Sequence, residues 1–251
     1  MRLIMAELRG DFARHTSSEF NDELEALCAD LLKMGGLAER QLRLAIECQS
    51  EFDSSLVDQI KEAENSVNAW EIKIDETVAS VIARRQPTAS DLRLILVISK
   101  VVRDLERAGD EASKVAEMAQ KSAESEKPSA VGHSEVRTIG DQVLKMLGDS
   151  LTAFARMDAD MALDVARNDK EVDQIYQSAL RALSTVMIED PHQIGNVLNV
   201  MWVLRALERV GDHATNIAEH VIYLVKGTDI RHLSVANVEE AVMNAPDVDE
   251  R

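Results

Sequence analysis

The chain has 251 residues, of which 45% are apolar but only 3% aromatic, and only four are prolines. Such a chain can bury a sizeable aliphatic core between long helices. A formal net charge of -17, with no run of lysine or arginine to offset it, excludes nucleic-acid binding and a polybasic membrane anchor.

Apolar residues recur at helical spacing through six segments. A capping box that starts at Thr16 precedes the first segment, and Pro87 ends the second. Asp190 is the expected N-cap of the sixth segment, with Pro191 at the first helical position and Gln193 reaching back. The predicted helices span residues 16–47, 54–84, 88–121, 135–157, 160–188 and 190–226.

The two halves of the chain align with each other. Residues 91–118 and 193–220, at a shift of 102, share eleven identities in 28 positions. Weaker matches at shifts of 105 and 112 extend the alignment through the preceding helices, which indicates duplication of a three-helix unit. We therefore predict an all-α fold of two tandem, pseudo-symmetric three-helix bundles placed end to end. The predicted boundaries are residues 1–121 for the first bundle, 122–134 for a linker, 135–226 for the second bundle and 227–251 for a C-terminal tail.

The location of the protein also follows from the sequence. The first twelve residues lack the pattern of a signal peptide, and no apolar stretch is long enough to span a bilayer. Cys28 and Cys48 are expected on one helix, roughly 30 Å apart at 1.5 Å per residue, so they cannot form a disulfide within the chain. We expect a cytoplasmic protein.

The best-matched segments, residues 103–110 (RDLERAGD) and 205–212 (RALERVGD), carry a polar stripe beside the apolar face of a helix. Gly109 and Gly211, kept in both copies, indicate that a neighbouring backbone comes close. The stripe consists of Arg103, Glu106, Asp110 and Glu117 in the first half and of Arg205, Glu208, Asp212 and Glu219 in the second.

A second polar pair lies at the same height in each half. In each half, residues can be counted in both directions from the turn between the second and third predicted helices, near Gln86 and near Glu189. In an antiparallel hairpin this count brings Glu64 and Asn68 level with the stripe of the first half. It brings Asp169 and Asp173 level with the stripe of the second half. Three or four carboxylates in one place repel each other unless cations intervene, and oxygen-only ligands suit magnesium, manganese and iron. The alternative is that the Arg–Glu pairs, spaced by three residues, are ordinary surface ion pairs.

No catalytic motif accompanies these carboxylates. Di-iron carboxylate bundles use Glu-x-x-His within a helix, and the one such pair here, Glu189 and His192, straddles Pro191. His213 and His220 are expected at the surface. Phosphate-binding Gly-rich loops, Gly-x-Ser-x-Gly and Cys-x-x-Cys are absent from the sequence. We therefore predict that the protein is not an enzyme.

Further motifs occur outside the repeated segment. They are residues 20–25 (FNDELE), 34–36 (MGG), 85–94 (RQPTASDLRL), 154–158 (FARMD), 216–219 (NIAE) and 226–232 (KGTDIRH). Together with the two Glu-Arg-x-Gly-Asp segments they resemble the PhoU family of phosphate-uptake regulators, along nearly the whole chain.

This resemblance implies a cytoplasmic, usually dimeric protein that represses the phosphate-starvation response. It implies contacts with the ATPase of the phosphate ABC transporter and with the sensor histidine kinase of a two-component system. The Glu/Asp-x-x-x-Asp motifs of the family bind metal clusters. Here they fall on Glu106/Asp110, Glu208/Asp212 and Asp169/Asp173. The fourth motif departs, because Glu64 is followed by Asn68, which leaves that site with less charge.

The expected function is therefore negative regulation of phosphate uptake by a metal-binding adaptor that reaches the inner membrane only through its partners. Magnesium, manganese, iron or zinc are the expected ions, and the arginines and outer glutamates of the stripe are expected beside the ligands. The alternative is a carboxylate-cluster metal protein, either a metal store or a metal-dependent enzyme.

Overall fold

A computed structural model of the chain describes residues 18–50, 52–124 and 131–228. The described residues form six long helices and no strand, which confirms the predicted all-α class. None of these helices is both long and apolar enough to cross a membrane. Thr16, the first residue of the predicted capping box, lies outside the described residues. The helices are α1 (Ser18–Ser50), α2 (Ser54–Arg85), α3 (Ala89–Ala123), α4 (His133–Arg156), α5 (Ala159–Glu189) and α6 (Ile194–Lys226), with a 3-10 turn at Pro191–Gln193.

Polar caps and one proline set the turns within each half. Asp53 begins α2 by accepting a hydrogen bond from the backbone N–H of Ser55 at 2.8 Å. Asp158 begins α5 in the same way, through the N–H of Met161 at 2.9 Å. Pro87 follows the end of α2 and stops it, as predicted. Each half thus folds into an up-down-up bundle.

The start of α6 differs in detail from the prediction. Asp190 caps it by accepting a hydrogen bond from the N–H of His192 at 3.1 Å, but a 3-10 turn follows, and α6 begins at Ile194. Gln193 does not reach back, because its side-chain oxygen accepts a hydrogen bond from Nδ2 of Asn196 at 3.0 Å. The tighter 3-10 turn takes the place of the predicted first α-helical turn.

The two halves lie side by side, not end to end as the sequence analysis expected. The most extensive contact between any two helices joins α3 to α6 of the other half, and α1 contacts α4. The α3–α6 pair is antiparallel, since Arg93 near the start of α3 donates to the carbonyl of Leu224 near the end of α6 at 3.2 Å. α3 and α6 bury apolar residues on two faces, so each fills its own bundle and also packs against its counterpart.

A pseudo-two-fold axis relates the halves across this pair. Asp104 of α3 faces His213 of α6. At the repeat shift of 102, Ala206 is the counterpart of Asp104, and His213 is the counterpart of Glu111. The axis therefore passes midway between residues 104 and 111, close to Arg107 on α3 and to its repeat counterpart on α6.

A buried carboxylate joins α3 to α6 on one side of the axis. Asp104 is 6% exposed, and its Oδ1 lies 3.0 Å from Nδ1 of His213 and accepts a hydrogen bond from Nδ2 of Asn216 at 3.1 Å. Nε2 of His220, which is also buried, lies 3.7 Å from Oδ2. The prediction that both histidines lie at the surface was wrong, because their carboxylate partner is more than a hundred residues away and leaves no local signal.

A second buried carboxylate joins the same two helices on the other side of the axis. Glu111, 5% exposed, forms ion pairs with Arg209 of α6 and with Lys114 of α3, both at 3.0 Å. Buried charges are tolerated only when they are paired. The two carboxylates therefore favour one particular seating of α3 on α6.

The two repeated glycines have different neighbours. A Cβ on Gly109 would lie 2.9 Å from Oε1 of Gln41, whose amide donates to the Gly109 carbonyl and to Oγ of Ser113, both at 2.9 Å. At Gly211 the nearest atom is a methyl of Val143 at 3.4 Å, an ordinary contact. The close neighbour of Gly109 is thus a side chain and not the expected backbone, and Gly211 has no equally close neighbour.

These contacts predict opposite effects of the same substitution in the two repeats. Gly211→Ala should raise the free energy of unfolding by up to about 1 kcal/mol, because alanine favours the helix and its methyl fits. Gly109→Ala should lower it by roughly 1–2 kcal/mol, because Gln41 must move and give up buried hydrogen bonds. Urea unfolding of both variants measures the difference, and effects of the same sign would contradict these contacts.

Candidate metal centres

One hydroxyl of the third helix bonds one carboxylate of the second helix in each half. Oγ of Ser113 donates to Oε2 of Glu64 at 2.7 Å, and Oγ1 of Thr215 donates to Oδ1 of Asp169 at 3.2 Å. The two hydroxyl residues are 102 positions apart, so the bonds are equivalent in the repeat. They fix the antiparallel register of α2 on α3 and of α5 on α6.

The carboxylates predicted for the second half come together between α5 and α6. Asp169 and Asp173 project from α5, and Glu208 and Asp212 from α6. Burial raises the pKa of Asp169, Glu208 and Asp212, and repulsion by nearby carboxylates raises each further. The Arg205 guanidinium opposes this shift in the pKa of Glu208 and Asp212. The cluster therefore holds more negative charge than its surroundings stabilise.

Glu208 in this cluster has one oxygen without a partner. Its Oε1 forms an ion pair with Arg205, three residues earlier on α6. Its Oε2 is buried and has no hydrogen-bond partner among the described residues. A buried acceptor without a donor is costly, so such an atom calls for an explanation. A bound cation would supply the missing interaction.

The first-half cluster contains its three predicted carboxylates, one fewer than were predicted for the second half. Glu64, Glu106 and Asp110 interact. Burial raises the pKa of Glu106, and repulsion by Asp110 raises it further. Burial also raises the pKa of Asp110, and repulsion by Glu64 raises it further. Asn68 contributes no charge, as the sequence indicated. The hydrogen bond from Ser113 already stabilises the charge on Glu64.

A carboxylate that the sequence analysis missed joins this first cluster. Glu71 lies seven residues after Glu64 and therefore on the same face of α2, and Glu106 lies seven residues before Ser113 on α3. Since Glu64 and Ser113 are hydrogen-bonded, Glu71 and Glu106 face each other two turns away. Burial raises the pKa of Glu71, and repulsion by Asp75 adds to it. The seven-residue spacing from Glu64 was the available signal.

A buried glutamine supports the first cluster alone. Gln41, which is fully buried, donates to Ser113, and Ser113 in turn donates to Glu64, so this carboxylate is held in one orientation. At the repeat shift of 112 the counterpart of Gln41 is Ala153. Ser113 and Thr215 were not predicted as site residues, although the repeat aligns them, and Gln41 has no counterpart in the other half that would reveal it.

The remaining predicted residues lie at the edges of the clusters. Arg103 and Arg205 stand beside them, and Arg205 pairs with Glu208. Glu117 is exposed and Glu219 is half-buried. Each lies seven residues past the aspartate of its cluster, about 10 Å along the helix. These two glutamates therefore fall outside the carboxylate groups.

Metal binding itself stays a prediction. Within the described ranges, no three His, Cys, Asp or Glu side chains have the arrangement that would hold a metal ion. The donor chemistry nevertheless fits a hard cation, because the ligands are all oxygens and one of them is buried without a partner. The residues that would hold an ion in the second half are Asp169, Asp173, Glu208 and Asp212, whose side chains would have to turn towards it.

The fold and these clusters define a class of protein: a duplicated three-helix bundle with an acidic cluster between the second and third helix of each half. The family model described as "PhoU domain" matches residues 31–119 and 136–221, one match in each half. The chain belongs to the PhoU domain family, as the sequence motifs indicated.

Relatives of known name cover nearly the whole chain. The protein named "Phosphate-specific transport system accessory protein PhoU homolog" from Pseudomonas aeruginosa is 53% identical over 94% of this chain and 97% of its own length. "Phosphate-specific transport system accessory protein PhoU" from Escherichia coli K12 is 43% identical over 88% of this chain and 90% of its own. A crystal structure of PhoU from Pseudomonas aeruginosa, 56% identical, superimposes with a TM-score of 0.81 over 83% of this chain and 100% of that chain.

The raised carboxyl pKa values predict how pH acts on the metal-free protein. A group whose pKa is raised on folding contributes stability that is fully present below its unfolded pKa and is lost as pH rises through the folded pKa. In the presence of a chelator, Asp169→Asn with Asp212→Asn should therefore stabilise the fold at pH 7, by the order of 1 kcal/mol after screening by water. The gain should vanish as pH falls into the ordinary carboxyl range.

Chemical unfolding at several pH values measures this effect. The matched control is Asp160→Asn with Asp164→Asn, which removes the same charge from the exposed side of α5. A gain at pH 7 that is no larger than that of the control would show that the cluster carboxylates do not repel each other as described.

Proposed function

We propose that this chain is an accessory protein of a phosphate-specific transport system and a negative regulator of the phosphate-starvation response and of phosphate uptake. The observation that carries the proposal is the 53% identity, over nearly the full length of both chains, to the Pseudomonas aeruginosa relative of that name. Identity of this extent makes a shared role the simplest inference.

The chain acts as an adaptor without catalysis. Its partners are the ATPase of the phosphate ABC transporter and the phosphate-sensing histidine kinase of a two-component system. Long helices packed in one body offer broad, rigid faces for such contacts, and the relatives are named as accessory proteins. The adaptor works in the cytoplasm as a homodimer and reaches the inner membrane through these partners.

Cations bound at the acidic clusters complete the adaptor. The ion is magnesium, manganese, iron or zinc, held by Asp169, Asp173, Glu208 and Asp212 in the second half. In the first half it is held by a set that includes Glu64, Asn68, Glu106 and Asp110. Support comes from the repulsion within each cluster and from the buried, unpartnered oxygen of Glu208. A bound ion supplies the positive charge that offsets the repulsion between these carboxylates.

A metal store or metal-dependent enzyme is the second candidate function. The unpartnered Glu208 oxygen favours a bound ion but does not distinguish a regulatory ion from a stored or a catalytic one. Assays for redox or hydrolytic turnover on wild type and on cluster variants separate the two candidates.

A phosphate-starvation reporter tests the regulatory role. In phosphate-rich medium, cells that lack the gene should show high reporter activity, and the intact gene should restore low activity. A reporter that stays low in the deletion strain would contradict negative regulation, and the metal-protein alternative would then stand first.

Metal analysis of purified protein tests the cluster. Glu208→Ala with Asp212→Ala should lower the bound metal per chain by at least about half, because one of two oxygen clusters is lost. The helical content should stay unchanged. The control, Asp160→Ala with Asp164→Ala, removes two exposed carboxylates of α5 and should leave the metal content as it is in wild type. Equal metal content in both variants would refute the site.

A further inference from the structure

The outer surface of α3 and α6 carries a strip of exposed leucine and arginine, of which the proposed site involves only Arg103 and Arg205, at the edges of the clusters. Both leucines are nearly half exposed, at 45% and 46%. The four arginines are exposed as well. We name this surface the arginine strip; it consists of Leu96, Arg103 and Arg107 on α3 and of Leu198, Arg205 and Arg209 on α6.

The strip is kept identical in both copies of the repeat. Most of the eleven identities between residues 91–118 and 193–220 have an evident reason, because they are core aliphatic residues, glycines or cluster carboxylates. The repeated arginine at Arg103 and Arg205 stands beside the cluster carboxylates, whereas the exposed leucine and the arginine at Arg107 and Arg209 have no reason that both copies share. Arg209 forms an ion pair with Glu111 across the two helices. Arg107 cannot form the equivalent ion pair, because the repeat counterpart of Glu111 is a histidine, His213. The fold and the clusters therefore do not explain why the leucine and the second arginine of the pattern Leu-x6-Arg-x3-Arg occur twice.

The pseudo-two-fold axis makes these two patterns one continuous surface. Arg107 and Arg209 lie beside the axis, and each leucine lies eleven residues from the arginine of its own helix. At 1.5 Å per residue the strip spans about 35 Å, with a leucine at each end and four guanidinium groups between them. Trp202, 66% exposed, extends the apolar end on α6, where the first repeat has Lys100.

We propose that the arginine strip is a docking surface for an acidic face of another protein. The inference rests on the adaptor function proposed above and names the surface on which one of its partners sits. Guanidinium groups recognise carboxylates in pairs of parallel hydrogen bonds, and exposed tryptophan and arginine are the residues that contribute most to protein interfaces. The occupant therefore carries carboxylates between apolar residues that cover Leu96 at one end and Leu198 with Trp202 at the other.

Other occupants fit the strip less well. A symmetric dimer through this surface would bring the same patch of two chains together and set four arginines against four. An anionic membrane or a nucleic acid presents negative charge evenly, and it would also meet the acidic clusters along both sides of the strip. A folded protein can place its carboxylates over the arginines alone.

Binding measured by calorimetry to the purified transporter ATPase, and separately to the cytoplasmic part of the sensor kinase, tests the proposal with the full chain. Leu198→Gln with Trp202→Gln, and in a second variant Arg107→Glu, should each weaken binding of one partner by about tenfold or more. The wild-type affinity should also fall with added salt. Thermal unfolding checks that both variants are folded.

Matched controls remove the same groups elsewhere. Ile72→Gln replaces an apolar residue of α2 that is 61% exposed, and Arg43→Glu reverses an exposed arginine of α1; both should bind as wild type does. Strip variants with unchanged affinity would overturn the surface and leave the adaptor function standing. Wild type that binds neither protein would overturn the adaptor function together with the surface. The acidic protein would also be wrong as the occupant if the strip variants kept partner binding and lost another interaction. That interaction would be self-association, measured by light scattering, or binding to anionic phospholipid vesicles.

Discussion

Antiparallel packing of α3 against α6 buries aliphatic side chains from both halves together with the carboxylates of Asp104 and Glu111. Each carboxylate is paired across the interface, so a slip of one helix along the other would leave a buried charge without its partner. The seating of these two helices is therefore specific, and it determines the relation of every other helix in one half to those in the other.

The position of the acidic clusters follows from that seating. On α3, Glu106 and Asp110 lie on the side towards α2, whereas Asp104 and Glu111 face α6. The repeat reproduces the first arrangement on α6, so the two clusters lie on opposite outer sides of the central helix pair. The exposed strip between them carries the arginines. The interface carboxylates and the cluster carboxylates thus lie on different faces of one helix, and the arginines lie on the exposed face between them, where Arg103 borders the cluster.

The sequence predicted the elements and the heights of the cluster residues well, because both depend on local signals. Pro87 and Asp190 mark turns, and an antiparallel hairpin then fixes which residues lie level. The arrangement of the halves was not predictable in this way, because α3 is apolar on two faces and the sequence does not say what covers the second. The histidines of the interface, His213 and His220, were misplaced for the same reason, since only tertiary packing brings Asp104 to them. Gln41 escaped notice because the other half has no equivalent.

The duplicated halves differ where their chemistry differs. The first cluster has Asn68 in place of a carboxylate, and it gains Glu71 and the buried Gln41–Ser113 support of Glu64. The second keeps four carboxylates and leaves an oxygen of Glu208 without a partner. A cation should therefore gain more in the second half, because among the described residues only that cluster has a buried carboxylate oxygen without a hydrogen-bond partner.

The proposed cluster ions and the proposed docking surface, taken together, would not act independently. Glu106 precedes Arg107 directly in the sequence, and Glu208 precedes Arg209, so an ion in either cluster lies close to the arginine strip relative to a Debye length of about 8 Å at physiological ionic strength. Each ion would offset carboxylate charge that otherwise repels an acidic partner. The coupling is reciprocal, because whatever raises the affinity for the partner when an ion is bound must raise the affinity for the ion when the partner is bound. An adaptor built in this way would hold its partner most tightly when its clusters are filled, without any change in the packing of its helices.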